Sequence, residues 1–431
     1  MRPALVFVLL AAPLLRGGDP TVDQTLNKEI HTAVEYCRPA LAKYLFDRDM
    51  DTHCGQAVFN GQPLHATAKM YAPGNGLGLG LAFTRDFSIG ERWKNLFELG
   101  GSGAFGGAWE GHTFLKLHPK FAAAPSLDQP VSKIRDQIEI QFYASAERLT
   151  KLQFYGLGPY SSPRDLAFYS QRSDTLGAGA VVPVAWWLNI GGKVEGLSRR
   201  LGAASDSDHS PVSAKFTPAQ APGIASQPTF SHYEFYVRPH YPAQEPYWLL
   251  YKVSYGIYQD HDTGRYSFRR FRADLLNNLY LERTKSGPKR DSILSLYGRV
   301  TLSDTSAGHV VPFYLQDTLG GSDMAGDPAL RAFADYRFRA PNALLFEAEW
   351  DRRLWKVVGL MAFFDTGKVA MQRADLGLSD MRHSVGAGLT FWSATRVVFR
   401  VYVGFGGGEG HHIFTGIMPL PGPVGAPYRS Y

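Results

Sequence analysis

The 431-residue chain has no apolar run of eighteen residues and only two cysteines. A membrane helix needs roughly 20 consecutive apolar residues, so the chain has no helical span. The mean hydropathy, −0.19, excludes a bundle of membrane helices. It leaves open a membrane barrel, whose lumen-facing half is polar. Enzyme signatures are missing: there is no Gly-x-Ser-x-Gly elbow, no His-Glu-x-x-His and no phosphate-binding loop. A lipase or deacylase barrel would need a Ser/His pair on adjacent strands facing lipid, and none is visible. Long basic runs are absent too. The net charge is +6, but the basic residues are scattered, as at Arg269, Arg270 and Arg272, which argues against nucleic acid as a partner. No solenoid-type repeat occurs.

What is abundant is glycine (45) and tyrosine (22). That mix suits a β protein with glycine kinks and interfacial aromatics. The clearest pattern lies between Asn342 and Val369. Leu344, Phe346, Ala348 and Trp350 share one face of a strand, with Glu347, Glu349 and Asp351 on the other. After a short turn, Leu360, Ala362 and Phe364 lie opposite Phe363, Asp365 and Gly367. Successive strand side chains point to opposite faces, so this is a sheet with one greasy and one polar side. The alternation recurs in sixteen segments: 75–86, 94–104, 108–117, 135–147, 165–182, 185–200, 228–240, 247–258, 265–282, 289–303, 308–317, 342–354, 357–368, 382–392, 396–406 and 410–418. An even number of such strands, separated by Gly, Pro and Asp turns, predicts a closed transmembrane antiparallel β-barrel over 74–418.

Outside the barrel, Arg2 and the apolar run Ala4–Leu15 read as a secretory signal over 1–18. Residues 19–73 form a short N-terminal extension, a periplasmic cap or a plug, with helical spacing from Thr21 to Met50. In an exported chain, Cys37 and Cys54 read as a disulfide worth roughly 3 kcal/mol by loop closure. Their spacing, even with His31 and His53, matches no zinc pattern, so no metal or other cofactor is expected. Residues 419–431 form a tail. Between strands, 202–227 is rich in Ala, Ser and Pro and reads as a mobile loop. The segment 317–341 is long enough to be functional.

At that second loop the chain resembles the bacterial surface antigen family, outer-membrane barrels that insert other barrels or secrete proteins with a partner. The resemblance covers roughly 75–418. Val311-Pro312-Phe313-Tyr314-Leu315-Gln316-Asp317-Thr318-Leu319-Gly320-Gly321 is similar to that family's approach to its sixth extracellular loop. Leu330-Arg331-Ala332-Phe333 stands at its hydrophobic-Arg-Gly-aromatic motif, with Ala332 in place of Gly. Ala343–Arg352 resembles the next strand, with Glu349 at the acidic position. Phe363-Phe364-Asp365-Thr366-Gly367 matches a Phe-x-Asp-x-Gly strand. Phe154-Tyr155-Gly156-Leu157-Gly158 and Arg265–Arg270 are similar as well. The resemblance implies that the loop folds into the barrel and that Arg331 meets acids on the wall.

That expectation has an independent physical basis. Glu349 and Asp365 have lumen parity on neighbouring strands, and a guanidinium inside a lumen must be paired. With the motif residues that the resemblance adds, the candidate clasp is Arg331, Phe333, Glu349, Phe363, Asp365 and Gly367. The resemblance further implies a non-enzymatic role in inserting or translocating proteins or lipids across the outer membrane of a Gram-negative bacterium. Partners would be outer-membrane lipid, lipopolysaccharide, and unfolded client proteins or a periplasmic partner. A seam between the first and last strands would take part, with glycine-rich 75–86 as strand one. No polypeptide-transport-associated (POTRA) domain fits before the first strand. The alternatives are a passive channel or a structural surface barrel.

Overall fold

A computed structural model describes residues 63–119, 138–204, 209–241, 247–284, 287–324, 326–392, 397–406, 408–409 and 411–417. The signal, the helical stretch, the Cys37–Cys54 pair and the 419–431 tail lie outside the described residues. The rest is dominated by one antiparallel sheet of sixteen strands in chain order. These are β1 (Leu64–Met70), β2 (Leu77–Ile89), β3 (Trp93–Gly103), β4 (Trp109–Pro119), β5 (Glu139–Phe154), β6 (Ala167–Ala185), β7 (Leu188–Gly202), β8 (Thr229–Tyr241), β9 (Tyr247–Asp260), β10 (Phe268–Thr284) and β11 (Gly287–Asp304). Then follow β14 (Asn342–Arg353), β15 (Val358–Ala370), β16 (Arg382–Trp392), β17 (Val397–Phe405) and β18 (His411–Ile417). Between β11 and β14, β12 (Asp317–Leu319) and β13 (Phe338–Ala340) pair with each other as the neck of the long loop.

Alternation decides which face is which. Leu79, Leu81, Phe346, Phe364, Val385 and Phe405 are exposed on the outside. Their strand neighbours His65, Thr84, Glu98, Lys252, Arg299, Asp351 and Asp365 are buried on the inside. An apolar exterior around a polar interior suits a cylinder in hydrocarbon. The sheet is strongly curled. From β5 to β18 is eleven strand steps, about 50 Å on a flat sheet at ~4.8 Å per step. Yet Arg337 touches both Ser161, just after β5, and Glu409, just before β18.

Three expectations change. Sixteen strands form, but 308–317 is not one of them. Pro312 precedes a 3₁₀ turn at Phe313–Leu315 whose side chains pack into the lumen rather than alternating across a wall. The missing strand is β1, where Leu64 and Met70 face out and His65 faces in. The sheet therefore begins at Leu64, ten residues before the expected boundary, and the glycine-rich strand is second. β1 itself contains no glycine. Second, β1 and β18 do not pair among the described residues, so the sheet is open at that seam. Third, the 202–227 connection is anchored where it is described. Its single-turn helix Val212–Lys215 and Ala221 pack with Phe154, Tyr169 and Phe313 in a lumen cluster.

Two outcomes are expected. The unboiled protein should migrate faster than the boiled protein in detergent gels. Phe364→Arg, at the middle of β15 on the apolar face, should cost about 2–4 kcal/mol of folding into lipid, measured as the heat-shifted fraction. A chain that is soluble without detergent and insensitive to boiling contradicts the barrel.

Candidate functional site: the infolded loop and its arginine clasp

Between β11 and β14 the long loop folds into the lumen and carries four buried charged residues among those described, Asp323, Arg331, Arg337 and Arg339. Gly320 (φ 118°) and Gly321 (φ 57°) turn the chain away from β12. A Cβ on Gly320 would lie 2.5 Å from the Ala334 carbonyl, so the turn needs glycine. Leu330 and Tyr336 take the left-handed backbone (φ 51° and 57°), whereas Ala332 does not. The loss of glycine at 332 therefore costs no backbone strain, and the alanine methyl is fully buried.

Arg331 is 1% exposed. Its backbone N–H donates to Asp365 Oδ2 at 2.9 Å, its Nε to the same oxygen at 3.0 Å, and its Nη2 to Oδ1 at 2.7 Å. Nη1 donates to Glu349. The two acids belong to adjacent strands, with Asp365 beside Glu347 and Glu349 beside Phe363 in the β14–β15 register. The guanidinium carbon lies 3.7 Å from the centre of the Phe363 ring, which gives the cation an aromatic floor. The next loop amide, Ala332 N–H, donates to Ser384 Oγ on β16 at 3.0 Å. Burial pulls the Arg331 pKa down, but the charges of Glu349 and Asp365 more than offset it, and the pKa ends above the usual arginine value.

Phe333 is fully buried, edge-on to Phe338 at 5.1 Å, with Leu319, Leu345 and Val369 around it. A Cβ on Gly367 would meet the Leu344 carbonyl at 2.9 Å and Leu319 Cδ1 at 3.1 Å. Bare backbone there admits the loop neck. Arg331, Glu349, Phe363 and Asp365 thus meet at one point of the loop, while Phe333 and Gly367 lie against its neck.

Other partners were missed in the sequence. Arg400 on β17 shares Glu349, at 2.9 Å. On the other flank the polarity reverses: Arg299 of β11 reaches the loop's Asp323 at 2.5 Å and Asp274 at 3.1 Å. Arg337 donates to Glu409 at 2.8 Å and to the Ser161 carbonyl at 2.6 Å. Arg339 donates to the Phe313 carbonyl at 2.8 Å. Gly404 lies under the clasp: a Cβ there would be 2.7 Å from the Arg331 carbonyl. Lumen parity was readable for Arg299 and Arg400, but pairing across three strand steps requires the curvature.

No protein-family model and no curated protein matches the sequence. Solved structures do match in shape. BamA from Haemophilus ducreyi lacking POTRA domains 1–3 aligns over 82% of this chain and 69% of that chain, at 12% identity and a TM-score of 0.52. The chain shares the barrel fold of that structure. CdiB from Escherichia coli aligns over 82% of this chain and 62% of its own, at 10% identity and a TM-score of 0.49. CdiB from Acinetobacter baumannii gives 80%, 55%, 12% and 0.44. The chain thus spans less than two thirds of either CdiB. At these identities the likeness is one of fold.

Gly404→Ala should push the loop off the wall and cost about 1–3 kcal/mol, read as a lower temperature for loss of the fast-migrating band. A pH test is also available. Burial raises the loop carboxyl Asp335 to about 6, although Ser322 hydrogen bonds pull the other way. The folded state then holds this proton more tightly than the unfolded chain, with its value near 4. Stability from this group is full below pH ~4 and is lost as pH rises to ~6, by up to about 3 kcal/mol. Asp335→Asn should remove that slope relative to wild type in urea titrations at pH 4 and 7; an unchanged slope contradicts it.

Proposed function

We propose that the chain is an outer-membrane member of the bacterial surface antigen superfamily, a non-enzymatic barrel that aids the insertion or translocation of proteins or lipids. The observation that carries this reading is the packed loop. Arg331, Arg337 and Arg339 are each 1–2% exposed, where an open aqueous lumen would leave them hydrated. A passive channel would keep such a pathway wet; the loop's bonds to Arg299 on β11, to Glu349, Asp365 and Ser384 on β14–β16 and to Glu409 support a packed lumen instead. The resemblance of the loop and strand motifs and the BamA-like fold both support the assignment.

In this reading the clasp holds the sheet's shape while the seam does the work. β1 and β18, at seven residues each, are the shortest strands of the large sheet, and their outer edges are unpaired among the described residues. Unpaired backbone groups at membrane depth are costly, so such an edge favours pairing or bilayer disturbance. The proposed partners are lipid and unfolded client strands.

Deleting the gene should lower the amount of other barrels, or of surface lipid, in the outer membrane. Arg331→Ala produced at wild-type abundance should restore less than a tenth of the lost material. Steady conductance of the wild type in planar bilayers, with an unchanged outer-membrane profile in the deletion strain, would instead establish a passive channel.

A further inference from the structure

The outer face holds a second feature, far from the clasp. Arg148 on β5, Arg172 on β6 and Arg200 on β7 are direct register partners, Arg148 opposite Arg172 and Arg172 opposite Arg200. Trp109 on β4 continues the row opposite Arg148. All three arginines are exposed. Their parity is outward. On β6 the same face carries Leu176, Ala178, Ala180, Val182 and Val184, and on β7 it carries Ile190, Val194 and Gly196. Directly opposed strand residues sit about 5 Å apart at Cα, and like charges so placed repel. One carboxylate, Asp174, meets the row, 3.2 Å from Arg172. Arg148 and Arg200 have no hydrogen bond or ion pair among the described residues. Three guanidiniums therefore face one carboxylate.

The depth of the row is defined by its surroundings. From Leu176 to Val184 the apolar band on β6 runs about 27 Å along the strand. A strand tilt near 40° makes that about 20 Å of membrane, close to the usual apolar height. Arg172 stands just past the band, on the side of the longer connections, where the headgroups of the outer leaflet lie. Trp186 and Trp187, exposed at the β6–β7 turn, mark the opposite rim. Trp109, with the Arg172 guanidinium 5.8 Å from its ring, sits at the level of the row.

An independent observation lies on the hydrocarbon side of the arginines. A depression of about 350 Å³ opens on the same face, lined by Phe142, Leu176, Ala178, Val194, Gly196 and Ser231, and by Glu195, whose carboxylate is bonded to Tyr143 and His232 on the lumen side. It begins four residues below Arg172, about 13 Å along the strand. Small residues at 178 and 196 leave the hollow, and larger apolar ones rim it.

We propose that this face binds an anionic outer-leaflet lipid, with headgroup phosphate across Arg148, Arg172 and Arg200 and an acyl chain in the depression. Phosphate oxygens accept the paired N–H donors of a guanidinium and relieve the repulsion along the row. The flexible chain of the same molecule fills the hollow. The site depends on the barrel's orientation in the outer membrane and not on any insertion or translocation activity.

The test measures lipid co-purifying with the full-length protein in mild detergent, by native mass spectrometry, followed by reloading with lipid A or phosphatidylcholine. Wild type should retain lipid A at least fivefold over phosphatidylcholine and lose it in high salt. Arg148→Ser/Arg200→Ser should lower lipid A retention at least fivefold with the heat shift intact, whereas Arg352→Ser, on the outward face at the other rim, should not. Millimolar inorganic phosphate should not displace the lipid; full displacement would mean a free-phosphate site and overturn the role of the hollow. Equal retention of the two lipids by wild type, or unchanged retention in the folded double variant, overturns the proposal. If the double variant fails to fold, the wild-type lipid preference and its salt dependence decide alone.

Discussion

A cation buried in a protein interior must be neutralised where it sits. The fold of the long loop follows from that constraint at Arg331. Removing the guanidinium from water costs several kcal/mol, recovered only with matched carboxylates and correct geometry. Asp365 supplies two oxygens to three loop donors, Glu349 accepts a fourth bond, and Phe363 closes the base. Because Asp365 is itself fully buried, either partner alone would be a stranded charge. The pair fixes the loop to two strands, and the Ala332–Ser384 bond extends the hold to a third.

The same economy of charge explains the loop's other attachments. Arg299 on the wall meets Asp323 on the loop, the mirror of Arg331 on the loop meeting Asp365 on the wall. Arg337 joins the β5–β6 connection to the turn before β18. The loop thus ties distant parts of the sheet together although β1 and β18 do not pair among the described residues. A barrel with a soft seam and a braced interior can yield at one edge and keep its shape elsewhere, which is the property the proposed role requires.

Much of this was legible in the sequence because strand parity is robust. The sides of Glu349, Asp365 and Phe364 follow from counting residues by two. The first strand escaped because Leu64–Met70 is short and follows a stretch with helical spacing. The segment 308–317 misled because four successive residues in it, 311–314, are buried: Val311, Phe313 and Tyr314 are apolar for lumen packing, and Pro312 breaks the ladder. Arg337–Glu409 and Arg299–Asp323 were out of reach, since parity assigns a face but not which residues meet across a curved lumen. Motif resemblance supplied the link between Arg331 and its acids that parity alone left open.

The most direct measurement of the central claim is a double-mutant cycle on Arg331 and Asp365, with each changed alone and together to Ala and Asn, read by urea unfolding of the detergent-folded barrel. A buried pair that fixes the loop should give a coupling energy of about 2–3 kcal/mol. Additive effects within ~0.5 kcal/mol would mean that the two groups act independently and that the loop is held by something else.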